Sequence, residues 1–333
     1  MKSSSILRSL SLRIPPMRLS GSSRAAVVPL PIRTSFDQQL TAELDALQAS
    51  AASYEHITWL LNALKASSSA QEITLHSLQK LVFQDLDTKA IDRYLDFNIR
   101  MLDSCNELTE KMEMIQNYVD SLRVVAHLVE GNAEPHPTTL ARVGDVLDSC
   151  QEMEKRINEM GKCGSASSGL RKIFSQKHYS NHHHTSQTEA SGSRLGEILN
   201  GSMAITSTVC AILGNALSFK SKRGLPIPQQ QVQSVSSWSC SLQQLQKQVK
   251  DQKKSGSAIT VMELPQIAMV ARSLKDQIKP RKQNELRLFD MEELKSSCGK
   301  VEEGIKALEE RVKALYKSLI SVRMALLGIL SNI

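Results

Sequence analysis

Aromatic side chains make up only 4% of this chain, and that shortage already narrows the fold. A β-sandwich or barrel usually builds its core with Val, Thr, Tyr, Phe and Trp. A core this poor in rings must rest on Leu, Ile, Val, Met and Ala, which suits helix-on-helix packing. Glycine (15) and proline (10) are both below average usage in 333 residues, so long uninterrupted helices are favoured over a turn-rich fold. The six cysteines, Cys105, Cys150, Cys163, Cys210, Cys240 and Cys298, form no CxxC pair. No secretory signal is evident, and free thiols in a reducing compartment are expected. Also missing are G-x-G-x-x-G, G-x-x-x-x-G-K-[ST] and the G-x-S-x-G elbow. No residue therefore receives a catalytic, cofactor-binding or metal-ligating role.

Acidic residues are absent before Asp37, where Lys2, Arg8, Arg13, Arg18, Arg24 and Arg33 stand without partners. These six account for most of the formal charge of +7, and the remaining Lys and Arg nearly balance the 34 Asp and Glu. Charge gathered on a tail is not the basic stripe that tracks a phosphate backbone, so nucleic acid is not an expected partner. Residues 1–35, rich in Ser and Arg with Pro15, Pro16, Pro29 and Pro31, allow two readings. One is an organelle transit segment; the other is a disordered basic arm that stays attached and touches anionic membrane.

What the chain does have is helical periodicity. Between residues 91 and 131, Leu95, Ile99, Leu102, Cys105, Leu108, Met112, Ile115, Val119, Leu122, Ala126 and Val129 recur every three or four positions. Nothing breaks this run before Gly131, so it predicts a rod on the order of 60 Å long. The last helix, from about Asn284 onward, carries the cleanest pattern. Val301, Ile305, Leu308, Val312, Leu315, Leu319, Val322, Leu326 and Ile329 step alternately by four and three. That is the seam of a coiled coil or of a shallow bundle crossing. An antiparallel partner within the chain, the 91–130 helix, is the preferred occupant of the seam, and homodimerisation is the alternative.

Around these rods the remaining elements fall in order. A first helix is predicted from Ser35 or Phe36 to Ala66, N-capped by Ser35 and ended by the serines at 67–69, with a shorter helix from about Glu72 to Val82. Beyond Pro135 and Pro137, a helix from Thr138 or Thr139 ends at Gly161. Residues 162–193, rich in Ser, His and Gln, read as a flexible linker. After the stiff Gly224–Pro228 connector, a helix carries Val235, Trp238, Leu242, Leu245 and Val249. Another runs from about Ser257 to Lys279 with Pro265 in its first turns.

Residues 198–219 carry no charge at all and are followed by Lys220, Lys222 and Arg223. They are long enough to cross a bilayer with the basic flank in the cytosol. Seven polar residues, and the sorting of Ile198, Ile205, Val209, Ile212 and Ala216 to one face, favour a helix buried in a bundle. The histidine cluster, His178 with His182, His183 and His184, lacks the spacing and supporting residues of a metal site and reads as loop. His56, His76 and His127 fall on predicted helices without identifiable partners.

The fifteen-residue run from Tyr94 to Leu108, YLDFNIRMLDSCNEL, resembles a segment of the plant BYPASS-like family, in which an aspartate-containing helix leads into Leu-Asp-x-Cys-Asn. The order of elements is similar as well: an apolar helix near Phe36, a charge-free segment past mid-chain, and a hydrophobic helix closing at Leu326–Leu330. The basic Pro/Ser-rich opening departs from the family. The resemblance implies a plant regulatory protein without known enzymatic activity, linked to restraint of a root-to-shoot signal and to root and shoot development. A related branch implies exocyst-dependent secretion through a tethering subunit, and the family brings in plastid targeting and membrane association.

The combined expectation is an all-α protein, an elongated bundle of long antiparallel helices with a disordered basic N-terminal arm. Residues 36–161 form one helical half and residues 194–333 a second that packs on it, joined by the 162–193 linker. Its role is expected to be that of a non-enzymatic regulator or scaffold whose protein partners, the exocyst tethering subunit among them, bind helix faces. Membrane contact through residues 198–219 or the basic arm, and homodimerisation, stand beside it. A membrane-anchored secretion component is the alternative function. An enzyme of small-metabolite signalling is a third reading.

Overall fold

A computed structural model describes residues 34–50, 57–80, 88–130, 136–160, 193–220, 236–254, 261, 263–278 and 288–331. Among them are eight helices and no strand: α1 (Ser35–Ala49), α2 (Ile57–Gln79), α3 (Thr88–Glu130), α4 (Pro137–Glu159), α5 (Arg194–Ala216), α6 (Ser237–Lys254), α7 (Glu263–Ile278) and α8 (Leu288–Ser331). All lie in one compact unit, Arg33–Ile333. The expectation of an all-α bundle holds. The expected basic arm, the 162–193 linker apart from Ser193, and the Gly224–Pro228 connector lie outside the described residues.

The frame is the pair of long rods. With 43 and 44 residues, α3 and α8 each extend about 65 Å, and their mutual interface is the most extensive in the fold. Four links set an antiparallel register. Lys295 pairs with Glu130 at one end and Arg123 with Glu302 further along. Towards the other end Asn98 Nδ2 donates to the Leu319 carbonyl at 2.9 Å, and Arg323 donates to that of Leu95 at 3.2 Å. The predicted heptad lies inward, with Val301 to Leu326 essentially inaccessible and Ile329 half-buried. The seam is wider than a two-helix one, because α2 packs on α8 almost as extensively as α3 does. Gly304 permits that approach: a Cβ there would sit 1.9 Å from Cδ1 of Ile57.

The expected helix from residue 35 to 66 is divided. Thr34, rather than Ser35, is the N-cap, its hydroxyl accepting from the Asp37 N–H at 3.1 Å, and α1 ends at Ala49 with Ser50 Oγ turned back to the Leu47 carbonyl. α2 then runs straight through Ser67–Ser69, the predicted terminator. The reason is tertiary. Ser67 is fully buried and donates to Thr206 of α5, so its hydroxyl has no need to compete for local backbone. At Pro137 the helix start is one residue earlier than expected, with His136 as the cap, and Pro occupies the first position, where its missing N–H costs nothing.

α5 takes the centre. Its N-cap Ser193 accepts from the Gly196 N–H at 3.0 Å, and its flanks pack on α2, α3 and α6. At Gly201 the side chains of Leu40 and Phe36 from α1 come within 3.1 Å of where a Cβ would stand. The charge-free segment is therefore buried, as the preferred reading had it. The expected sorting of its faces is not observed: Ser202, Thr206, Ser207 and Thr208 are as inaccessible as the aliphatic residues. Three of them are carried by hydrogen bonds, Ser207 and Thr208 to the Ala204 carbonyl and Thr206 to α2.

Candidate functional site

Of the residues singled out for possible chemistry, those described do not converge. His56, His178 and His182–His184 lie outside the described residues, and His76 and His127 point to solvent on α2 and α3. Among the described residues no three His, Cys, Asp or Glu side chains come together as a metal set. Cys105, Cys150, Cys210 and Cys298 are free and buried; Cys240 is free and exposed.

The buried polar groups form links between helices. In the first cluster Tyr94 OH of α3 donates to Gln71 Oε1 at 2.6 Å, and Gln71 Nε2 and Ser67 Oγ of α2 both donate to Thr206 Oγ1 of α5, at 2.7 and 3.2 Å. Ser202 and Asn98 lie beside the Tyr94 hydroxyl, whose pKa burial drives up and these neighbours partly offset. The Tyr94 proton is directed at Gln71, and Ser202 Oγ and Asn98 Oδ1 are buried without a hydrogen-bond partner. A phenol held neutral in this way is a helix tie and not a base.

The second cluster joins α3, α4 and α7. Glu154, almost inaccessible, accepts from Tyr118 OH at 3.1 Å and from Arg272 at 2.6 Å. Burial first, and then the Glu154 charge, drive the Tyr118 pKa up. A third tie is Lys111, buried on α3, whose ammonium donates to the Gly214 carbonyl at 2.6 Å and to Ser218 Oγ at 3.3 Å. It sits at the C-terminus of α5, where the helix dipole favours a cation. On the opposite side, buried Asp37 accepts the Trp238 N–H at 3.0 Å and fixes the start of α6 against α1.

The thiols behave alike. Cys105 is raised by its hydrogen bond with Cys210 and then by burial, and burial pushes Cys150 up to about 12 and Cys298 up to about 11. Since the thiolate is the nucleophile, Cys105, Cys150 and Cys298 pack as small hydrophobes at neutral pH. Chemically, the interior specifies helix pairing.

Two outward features remain. Along α3, Asp103, Glu107, Glu110, Glu113 and Asp120 are exposed, and the Glu107 carboxyl is raised by partial burial and by its like-charged neighbours Asp103 and Glu110. On α8, Ile320, Met324 and Leu327 are 37%, 61% and 38% exposed, although the helix is apolar on its inner side as well. The sequence reading missed this second stripe because the heptad absorbed the aliphatic residues. The available signal was apolar residues at four- and three-residue steps off the seam. Ile99, assigned to the buried stripe of α3, is likewise 46% exposed.

The family model described as Protein BPS1 matches residues 60–329. Among curated proteins, "Protein BPS1, chloroplastic" of Arabidopsis thaliana is 22% identical over 305 residues, covering 90% of this chain and 83% of that protein. No solved structure matches.

Proposed function

The chain belongs to the BPS1 family of BYPASS-like plant regulators, and we propose that it acts as a rigid scaffold that regulates by protein contact and carries out no chemistry of its own. The observation that carries this reading is the use of the buried polar groups. Gln71, Tyr94, Lys111, Tyr118 and Glu154 tie helices to one another and hold outward faces in fixed register. A pre-ordered face loses little conformational freedom on binding, which is the energetic advantage of a scaffold.

The outward face of α3 is the surface we assign to a partner with basic character. Burial and then the like charges of Asp103 and Glu110 raise Glu107, and a cationic partner would offset the charge repulsion along this face. Affinity capture from plant tissue should compare the intact chain with an Asp103→Lys/Glu110→Lys variant of equal thermal stability. A specific partner lost in the variant supports the assignment; an unchanged partner set overturns it. An exocyst tethering subunit, suggested by the family likeness, is one partner for this comparison to examine.

Residues 198–219 enter the alternative reading, in which the protein is a membrane component of secretion. α5 is long and apolar enough to span a bilayer, but 78% of its most apolar 18-residue window is buried among neighbouring helices. We propose that it stays in the core, so alkaline carbonate should release the protein from membranes; retention in the pellet would count against this. The relative's name places that protein in the chloroplast, and the acid-free residues 1–35 here have a composition suited to such targeting. We propose plastid delivery, which deletion of residues 1–35 from a fluorescent fusion should abolish; an unchanged location would reject it.

A further inference from the structure

The end of α8 has an apolar face that its own fold does not use. Over the last four turns, Leu315, Leu319, Val322 and Leu326 are spent on the inner seam. Ile320, Met324 and Leu327 follow one another at i, i+4 and i+7, a spacing that lines them up on the outer side. Helix α8 is also long and apolar enough for a bilayer, and only 22% of its most apolar 18-residue window is buried, the reverse of α5.

The charges beside this face have one sign. From Arg311 to Ile333 the chain has Arg311, Lys313, Lys317 and Arg323 and no acidic residue. Helical geometry puts Lys313 and Lys317 on the same side as Ile320 and Met324, one to two turns towards the N-terminus. Lys313 is ion-paired with Glu309 of its own helix and lies near Glu113 of α3, so Lys317 is the cation that borders the apolar residues. The face thus reads cationic and then apolar along its length. At the neighbouring end of α3 the exposed charges cancel, Lys89 and Arg93 against Asp92 and Asp96.

We propose that the C-terminal turns of α8 are an interfacial membrane anchor, laid on an anionic lipid surface with Ile320, Met324 and Leu327 at the acyl boundary and Lys317 among the headgroups. Ile320 to Leu327 covers about 10 Å along the axis of a helix that would lie in the membrane plane, its apolar side towards the acyl chains. Charge selects the occupant. A second copy of this chain, paired in parallel, would set Lys317 against its own counterpart; paired antiparallel, it would set Lys317 over the apolar last turns, and in neither case against a carboxylate of residues 311–333. Anionic headgroups supply the missing countercharge.

The test is flotation of the full chain with vesicles of phosphatidylcholine alone and of phosphatidylcholine mixed with phosphatidylserine. Flotation is expected only with the mixed vesicles. Met324→Glu/Leu327→Glu, whose sites are exposed and whose melting should match the parent, is expected to bind about tenfold more weakly. Should that variant melt early, Lys317→Gln provides an independent reading, with a loss of about fivefold for one headgroup contact. The proposal is overturned by absence of flotation, by equal flotation with both vesicle types, or by binding that neither substitution weakens (the basic N-terminal residues are present in every variant). Light scattering that shows a dimer dissociated by Met324→Glu would overturn it in favour of self-association.

Discussion

Arg272→Met tests the interior logic most directly, because it removes the cation from a carboxylate that has little water. The Glu154 side chain is 7% exposed and that of Arg272 is 43% exposed. Breaking a fully buried pair costs about 3–5 kcal/mol, whereas exposed pairs are worth about 0–1 kcal/mol. A buried anion with a half-exposed partner lies between these limits, and we expect a loss of about 2 kcal/mol. That corresponds to a fall in Tm on the order of 5 °C for a domain of this size. Glu154→Gln should cost less, since the amide can still accept from Tyr118. In the Glu154→Gln background Arg272→Met should be nearly silent, giving a coupling of about 1–2 kcal/mol in a double-mutant cycle. The combination Tyr118→Phe/Glu154→Leu/Arg272→Met removes every polar partner together and should return close to parental stability. Urea unfolding followed by circular dichroism, with an unchanged m-value, is the assay. Additive effects of Arg272→Met and Glu154→Gln would mean that the contact between α4 and α7 is not held by this charge, and the account of the cluster would be refuted.

The other expectations concern the rods and the thiols. Leu319→Ala on the inner seam of α8 should cost about 2–5 kcal/mol, while Ile320→Ala, one residue further on the outer face, should cost under about 1 kcal/mol; equal losses in denaturant melts would put the register in error. Gly304→Ala brings a Cβ against Ile57 and should cost about 1–2 kcal/mol after the gain in helix propensity. Ile57→Val, which deletes the Cδ1 atom at 1.9 Å, should recover part of that loss, and failure to do so would place the strain elsewhere. Alkaline pH should destabilise the fold: Cys298 and Cys150 hold their protons to about 11 and about 12 in the native state, while the unfolded chain releases them from about pH 9. Stability from these groups is complete below pH 9 and declines as pH rises through 11–12, by up to about 1.4 kcal/mol per unit per thiol. Urea midpoints that stay level across that range would contradict the burial of both thiols.

Long-range order was readable where the pattern is most regular. The heptad from Val301 to Leu326 could be assigned to an antiparallel rod because a four–three step describes a straight inner stripe, although it did not show that α2 shares that stripe with α3. The same logic underestimated α3. That helix packs on α4, α5 and α8, so its buried surface takes in Tyr94, Phe97, Asn98, Met101 and Lys111, none of which belongs to the stripe read from the sequence. Ile99 was assigned inward for the complementary reason, since a fixed spacing cannot show on which side the next helix arrives. Ser67–Ser69 looked like a stop because an isolated serine competes for backbone hydrogen bonds, and only Thr206, 139 residues away, removes that competition.

Composition and periodicity determined that this protein is helical and that α3 and α8 are long, while burial of the charge-free segment was a preferred reading that the structure decided. Those properties depend on residues within one or two turns of each other, where spacing and side-chain chemistry act directly. The tertiary structure decided which polar groups are sealed in, how Tyr94, Glu154 and Lys111 are shared among helices, and which apolar residues of α8 remain outside. Each of those outcomes depends on partners distant in sequence, and burial becomes defined only when the neighbouring helix is in place.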